Sequence, residues 1–118
     1  MARIKHREIV DYVGSMTDLH GPISVVARGD HLILRSACGL TLRNVRPTSV
    51  RPITVPPLTE RRADALLALY NRRCAAVPAA VRTWLIAQQL AHIDHQDGDR
   101  LALTPLGFEL AGALPRYF

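Results

Sequence analysis

The spacing of hydrophobic residues changes along the chain, and each change predicts a different kind of segment. Over residues 3–16 the apolar positions recur at helical spacing, which predicts a short amphipathic helix. Three β-prone runs follow at 23–27, 31–35 and 40–45. A Gly-Asp pair at 29–30 separates the first two runs and is typical of a two-residue hairpin turn. We therefore expect a small antiparallel β-meander after the helix.

Prolines dominate the next stretch, and they exclude both a helix and a central strand. Each proline fixes φ and lacks a backbone donor, so the stretch predicts an extended connector or an edge strand. The prolines concerned are Pro47, Pro52, Pro56 and Pro57. They mark the strongest boundary in the sequence and divide the chain into 1–46, a connector at 47–57, and 58–118.

Two helices are predicted directly after the connector. Thr59 is placed to cap the first, whose apolar stripe at intervals of three and four residues extends to Cys74. Pro78 suits the first turn of the second, because its missing N–H has no intrahelical partner there. The apolar pattern carries this second helix to Gln89 or His92.

A hairpin and a final helix complete the chain, and their order resembles winged helix-turn-helix proteins of bacteria and phages. The run 101–110, Leu-Ala-Leu-Thr-Pro-Leu-Gly-Phe-Glu-Leu, is similar to the junction between wing and last helix in that family. Residues 81–85 with Leu90 resemble its recognition helix and the exit from it. The likeness covers about residues 58–114, although the family usually has glycine where this chain has Gln89. It implies an α+β fold with a winged-helix C-terminal half.

Composition limits the classes of protein to consider. The chain has 118 residues, of which 48% are hydrophobic, and a formal net charge of +5. This is enough for one domain with its own core and too apolar for a disordered tail. The sequence contains no apolar run long enough to cross a membrane, and the basic N-terminus is not followed by the apolar stretch of a secretory signal. We expect a cytoplasmic protein.

The resemblance implies which residues would meet DNA. In that family the front of the second helix enters the major groove, where arginine can bind guanine and glutamine can bind adenine. The resemblance also implies a homodimer on double-stranded DNA. The candidate DNA-binding residues are Arg72, Arg73, Arg82, Thr83, Gln88, Gln89 and Arg100.

The net positive charge is concentrated in the first half of the chain. Residues 1–57 hold eight basic and four acidic groups, whereas residues 58–118 hold seven and six. Five arginines form a basic strip suited to phosphates or to an acidic protein partner, and no aromatic residue interrupts it to stack on bases. The basic strip consists of Arg28, Arg35, Arg43, Arg46 and Arg51.

Acidic residues at the hairpin tip favour an alternative. Asp94, Asp97 and Asp99 cluster there and would repel a DNA backbone. The winged-helix unit can instead serve as a scaffold for protein–protein interaction, as in a phage-type inhibitor of a host factor or a virion or assembly component.

Catalytic patterns are absent from the sequence. It lacks the glycine-rich nucleotide and nucleophile motifs. His92 and His95 have no third ligand at a convincing spacing, and Cys38 and Cys74 are isolated thiols. We therefore expect no enzymatic activity, no cofactor and no metal. The leading hypothesis is a small DNA-binding protein of the kind that phages and mobile elements use as transcriptional regulators.

Overall fold

Five antiparallel strands form the first half of the structure, a computed structural model that describes residues 5–72 and 77–114. The strands are β1 Ile9–Tyr12, β2 Gly21–Ala27, β3 Leu32–Arg35, β4 Thr41–Val45 and β5 Val50–Pro52. Their order across the sheet is β4-β3-β2-β1-β5. The meander predicted from the three β-prone runs is confirmed as β2, β3 and β4, and the sheet also contains β1, which pairs with β2, and β5 at the edge.

The helix predicted over residues 3–16 is wrong, because residues 9–12 form β1. Ile9 and Val10 are 2% and 3% exposed and belong to two different hydrophobic clusters, one on each side of the sheet. A strand that is buried on both faces shows no polar–apolar alternation, so its apolar positions imitate a helical stripe. Residues 1–4 lie outside the described part of the chain.

The short link between β4 and β5 requires a strongly curled sheet. These strands lie at opposite edges, and in a flat sheet about 19 Å would separate them. Residues 46–49 join them and include a 3₁₀ turn at Pro47–Ser49, which advances only about 2 Å per residue. The end of β4 therefore curves towards the start of β5. The interior of the curled sheet is lined by Val10, Tyr12, Ile23, Val25, Leu32, Leu34, Leu42 and Val45.

The second half contains three helices and a hairpin in the predicted order. The predicted cap at Thr59 is confirmed, since the amide of Arg62 donates to its hydroxyl, and Thr104 caps the last helix in the same way by accepting from the amide of Gly107. Pro78 is the N-cap of the second helix instead of lying in its first turn. The elements are α1 Glu60–Tyr70, α2 Ala79–Ala87, β6 Ala91–Asp94, β7 Arg100–Leu103 and α3 Pro105–Gly112.

The connector packs against the helices and so ties the two halves together. Leu58 is 1% exposed, and Ile53 and Val55 are half-buried against the same cluster of apolar side chains from the three helices and the hairpin. Ile9 of β1 belongs to this cluster as well. The chain is thus a mixed α+β fold in which the first strand contributes to two cores.

Helix α3 makes the closest contact between the halves. Gly112 lies so near Ala37, in the turn between β3 and β4, that an added Cβ would be 2.6 Å from the Ala37 Cβ. The Ala37 amide donates to the Glu109 carboxylate at 2.7 Å, and the guanidinium of Arg7 donates to the Gly112 carbonyl at 2.9 Å. These bonds fix the position of the sheet relative to α3. Within the described residues, no helix is long and apolar enough to cross a membrane.

Candidate nucleic-acid interface

Helix α2 is anchored by a narrow apolar stripe and leaves most of its surface in solvent. Val81 and Leu85 are buried, and Trp84 is half-buried. Arg82 and Thr83 lie on the exposed side, where side chains can reach a groove. The Thr83 hydroxyl donates its hydrogen to the Ala79 carbonyl at 3.2 Å, so towards solvent it offers only lone pairs. It can therefore accept a hydrogen bond from the amino group of adenine or cytosine.

Helix α2 lies in a stretch of the sequence without acidic residues. No acidic residue occurs between Asp64 and Asp94, a stretch that spans most of α1, all of α2 and the start of β6. The same stretch contains Arg72, Arg73 and Arg82. A phosphate chain approaching α2 therefore meets no carboxylate from α2 itself.

The turn after α2 places two glutamines at the helix exit. Gln88 is the C-cap, and Gln89 has φ +60°, a left-handed conformation in which glycine is favoured. The Gln89 carbonyl accepts a hydrogen bond of 2.6 Å from the Thr104 hydroxyl. Both glutamine side chains are exposed. The helix therefore ends at Ala87 rather than at the predicted Gln89 or His92.

Arg72 and Arg100 meet at a cleft of about 470 Å³. The cleft lies along β7 and is bounded by the end of α1 and the start of α3. Strand β7 separates the cleft from β6, and β6 is the strand that directly follows α2. The structure therefore brings Arg72 and Arg100 together but not with the exposed side of α2. Arg73 lies outside the described residues.

The acidic residues of the hairpin tip have a local structural role. Asp94 accepts a hydrogen bond of 3.0 Å from the Gln96 amide, and a carboxylate oxygen of Asp99 lies 2.7 Å from Nδ1 of His95. These contacts build the tip of the predicted hairpin, in which Gly98 has a left-handed conformation. The third carboxylate, Asp97, lines the cleft beside β7. All three still place negative charge at the tip, which makes it a poor surface for a phosphate backbone.

In the basic strip, a β-bulge brings two arginines together. Leu34 pairs with Leu42 but Leu32 pairs with Val45, so Arg43 and Asn44 together oppose a single residue of β3. Asn44 takes φ +56° to absorb the extra residue. Arg43 and Arg46 then line one cleft of about 410 Å³. Neither has a carboxylate among the described residues within salt-bridge distance.

The other arginines of the basic strip are dispersed. Arg28 forms an ion pair with Glu8, and Arg51 lies directly opposite Asp11 in the pairing of β5 with β1. Arg35 pairs with Thr41, which places it on the same outer face as Arg43. The part of the basic strip best suited to phosphates is therefore Arg35, Arg43 and Arg46.

Comparison with known proteins identifies no relative of the chain. No family model, curated protein or solved structure matches it. The run 101–110 nevertheless has a clear structural role, because Thr104 caps α3 and Gly107 lets the helix approach the Leu90 carbonyl. An added Cβ at Gly107 would lie 2.9 Å from the Leu90 carbonyl carbon and still closer to its oxygen.

The described residues contain no candidate metal site. No three of their His, Cys, Asp or Glu side chains are arranged to hold a metal ion. Cys38 is exposed in the turn between β3 and β4, where the Ser36 hydroxyl lowers the pKa of its thiol. Cys74 lies outside the described residues. The ring of Trp84 is covered by the guanidinium of Arg62, 3.9 Å from the ring centroid.

Sequence reasoning missed the pairing of Tyr70 with Phe108, whose ring centroids are 5.1 Å apart beside the cleft at β7. The apolar stripe of α1 placed Tyr70 correctly on the packed side. The only available signal for Phe108 was its position in the 101–110 run, which gives no information about its contact with a helix that ends 38 residues earlier.

Proposed function

We propose that the protein binds duplex DNA by inserting the exposed side of α2 into the major groove. The supporting observation is that α2 presents Arg82 and Thr83 to solvent within a stretch that contains no carboxylate. Arg82 binds the edge of a guanine, and Thr83 accepts from an exocyclic amino group. Gln88 and Gln89 extend the contact at the helix exit.

The dimensions of α2 set the size of the site. Nine residues make a helix about 13 Å long, which covers about four base pairs at 3.4 Å per pair. So short a contact gives little sequence specificity alone, and two copies on adjacent half-sites supply more. In this way the protein would act as a transcriptional regulator of a phage or mobile element.

The form of nucleic acid follows from the groove. B-DNA has a major groove about 12 Å wide, which admits a helix. The major groove of A-form RNA is too narrow and deep for side chains to read. The phosphate contacts come from the three arginines of the basic strip that are best suited to them, Arg35, Arg43 and Arg46.

Fluorescence anisotropy with the full chain tests this proposal. The probes are a labelled random-sequence DNA duplex of about 20 base pairs and an RNA duplex of the same sequence, titrated from about 50 to 200 mM salt. We expect DNA binding that weakens with salt and is stronger than RNA binding. With three arginines on phosphates, log K falls with a slope of about −3 against log salt. Undetectable binding at low salt, or equal binding of both duplexes, would overturn the proposal.

A second candidate is a protein–protein interaction module. One observation favours it: the exposed side of α2 also carries Ile86, which is 39% exposed, together with three exposed alanines. An apolar helix face of this kind suits a protein groove. Substituting Ile86→Ser separates the two candidates, because it should weaken a protein complex that buries this side chain at least about tenfold but should weaken DNA binding, which depends mainly on charged contacts, by much less.

A further inference from the structure

Among the described residues no strand pairs with the outer edge of β7, which lies beside a cleft. The backbone amide of Thr104 donates to the Leu90 carbonyl at 3.1 Å, so Leu90 and Thr104 form a hydrogen-bonded pair at the end of the hairpin ladder. In an antiparallel ladder, pairs of opposed residues that exchange backbone hydrogen bonds alternate with pairs that do not. The opposed pairs Ala91–Leu103 and Ile93–Leu101 therefore exchange no backbone hydrogen bonds. The N–H and C=O groups of Leu101 and Leu103 consequently point away from β6.

These four backbone groups have no hydrogen-bond partner among the described residues. They lie along the cleft of about 470 Å³, which is lined by every residue from Arg100 to Leu103. Successive residues of a strand point to opposite faces, so a cleft that touches all of them follows the strand edge rather than one face. The edge thus offers two donors and two acceptors, spaced as an added strand requires.

We propose that β7 accepts an extended peptide segment of a partner protein, in which acidic and apolar side chains alternate. A strand is the ligand that satisfies both the N–H and the C=O groups of this edge. A nucleic-acid backbone offers acceptors for the N–H groups but no donors for the carbonyls, so duplex DNA is a poorer occupant of this cleft.

The two sides of the cleft specify the alternation. On one side Tyr70 and Phe108 form a tilted ring pair, against which an apolar side chain of the added strand packs. Leu101 is buried in the core, so its neighbour Arg100 faces the other side of β7, where it is exposed; Arg72 lies at the end of α1. Neither guanidinium has a salt-bridge partner in the described chain, whereas Asp97 is the one carboxylate among the residues lining the cleft. The cleft is therefore net positive and complementary to acidic side chains.

A second copy of the protein fits this edge less well. Pairing β7 with β7 of another copy would bring two Arg72 and two Arg100 side chains together around only two Asp97 carboxylates. Like charges placed opposite each other in a ladder are destabilising. An acidic strand brings the opposite charge instead, and we expect the free protein to keep this edge open.

The experiment uses the full chain, labelled with ¹⁵N, and three capped peptides of six residues. One alternates Glu and Val, the second alternates Lys and Val, and the third is the Glu peptide with proline replacing the central Val. We expect the amides of Leu101 and Leu103 to exchange rapidly with solvent in the free protein. Adding the Glu peptide should shift and protect them, while the Lys and proline peptides should bind at least about fivefold more weakly.

Matched variants test the charge contribution. Arg100→Gln and Arg72→Gln should each weaken binding of the Glu peptide about threefold to tenfold. Arg61→Gln, an exposed arginine of α1 that does not line the cleft, should leave binding unchanged. Spectra of the free variants show whether each is folded.

Three results would overturn the proposal. The first is protection of the Leu101 and Leu103 amides in the free monomer, which would mean that the edge is already covered. The second is equal binding of the Glu and Lys peptides. The third is protection that increases with protein concentration without peptide, which would identify a second copy as the occupant. The proposal does not depend on DNA binding, because none of these measurements includes DNA.

Discussion

Among the described glycines that do not have a positive φ, Gly107 is the one whose substitution by alanine should destabilise the protein most. The new Cβ would lie 2.9 Å from the Leu90 carbonyl carbon and 3.2 Å from a methyl carbon of Leu103. The Leu90 carbonyl oxygen would be closer still. Ordinary contacts between non-bonded heavy atoms are about 3.5 Å, so α3 must move away by more than about 1 Å. The atoms it meets first are backbone, which cannot rotate away.

The hydrogen bonds around this contact determine the size of the effect. Retreat of α3 stretches the bond from the Thr104 amide to the Leu90 carbonyl, 3.1 Å, and that from the Thr104 hydroxyl to the Gln89 carbonyl, 2.6 Å. Each contributes about 1 kcal/mol. Loosened packing around Leu110, which is fully buried, adds about 1–3 kcal/mol. The free energy of unfolding should therefore fall by about 3–5 kcal/mol.

Urea denaturation followed by circular dichroism measures this change. Gly29→Ala is the matched control, since its added Cβ would lie 3.8 Å from the nearest atom, the His31 carbonyl oxygen. We expect the control to remain within about 0.5 kcal/mol of the wild type. If the free energy of unfolding of Gly107→Ala lay within about 1 kcal/mol of the wild-type value, with an unchanged m-value, the close packing of α3 on the turn between α2 and β6 would be refuted.

Three further predictions concern single side chains. Gln89→Gly should stabilise the protein by about 0.5–1 kcal/mol, because it removes left-handed strain at φ +60° that exceeds the added flexibility of the unfolded chain; a lower urea midpoint would contradict this. Half-burial raises the pKa of Glu109 and outweighs the opposite effect of the hydrogen bond from Ala37. The folded state therefore holds this proton more tightly, and stability should fall as the pH rises from the usual pKa of 4.5 through the raised value. Glu109→Gln should flatten that slope in urea titrations at several pH values, whereas an unchanged slope would exclude this carboxyl. Arg62→Met should cost about 1 kcal/mol and shift tryptophan emission, because it removes the cation above Trp84; unaltered emission would show that the ring was not covered.

Local signals made the second half of the fold predictable. Thr59 and Thr104 cap helices through hydrogen bonds to amides three residues later, and such contacts depend only on the nearby sequence. The turn at Asp97-Gly98 is similarly local. The end of α2 was placed too late because Gln89 carries no sequence signal for the left-handed conformation that it adopts.

Non-local packing explains the failures. The strand at Ile9–Tyr12 is buried on both faces by segments that lie far from it in sequence, so its own pattern could not distinguish a strand from a helix. The clefts depend on the same kind of contact. Nothing in the sequence indicates that Arg72 and Arg100 share a cleft, or that a bulge at Asn44 places Arg43 beside Arg46.

Binding of duplex DNA by Arg82→Gln and Arg28→Gln tests the proposed function most directly. Each substitution removes one positive charge, but Arg82 lies on the exposed side of α2 and Arg28 is paired with Glu8 on the sheet. We predict that Arg82→Gln weakens binding at least about fivefold, because a guanine contact is lost, and leaves the salt slope unchanged, while Arg28→Gln stays within about twofold of the wild type. Equal effects of the two substitutions, or no effect of Arg82→Gln, would show that α2 does not contact the DNA.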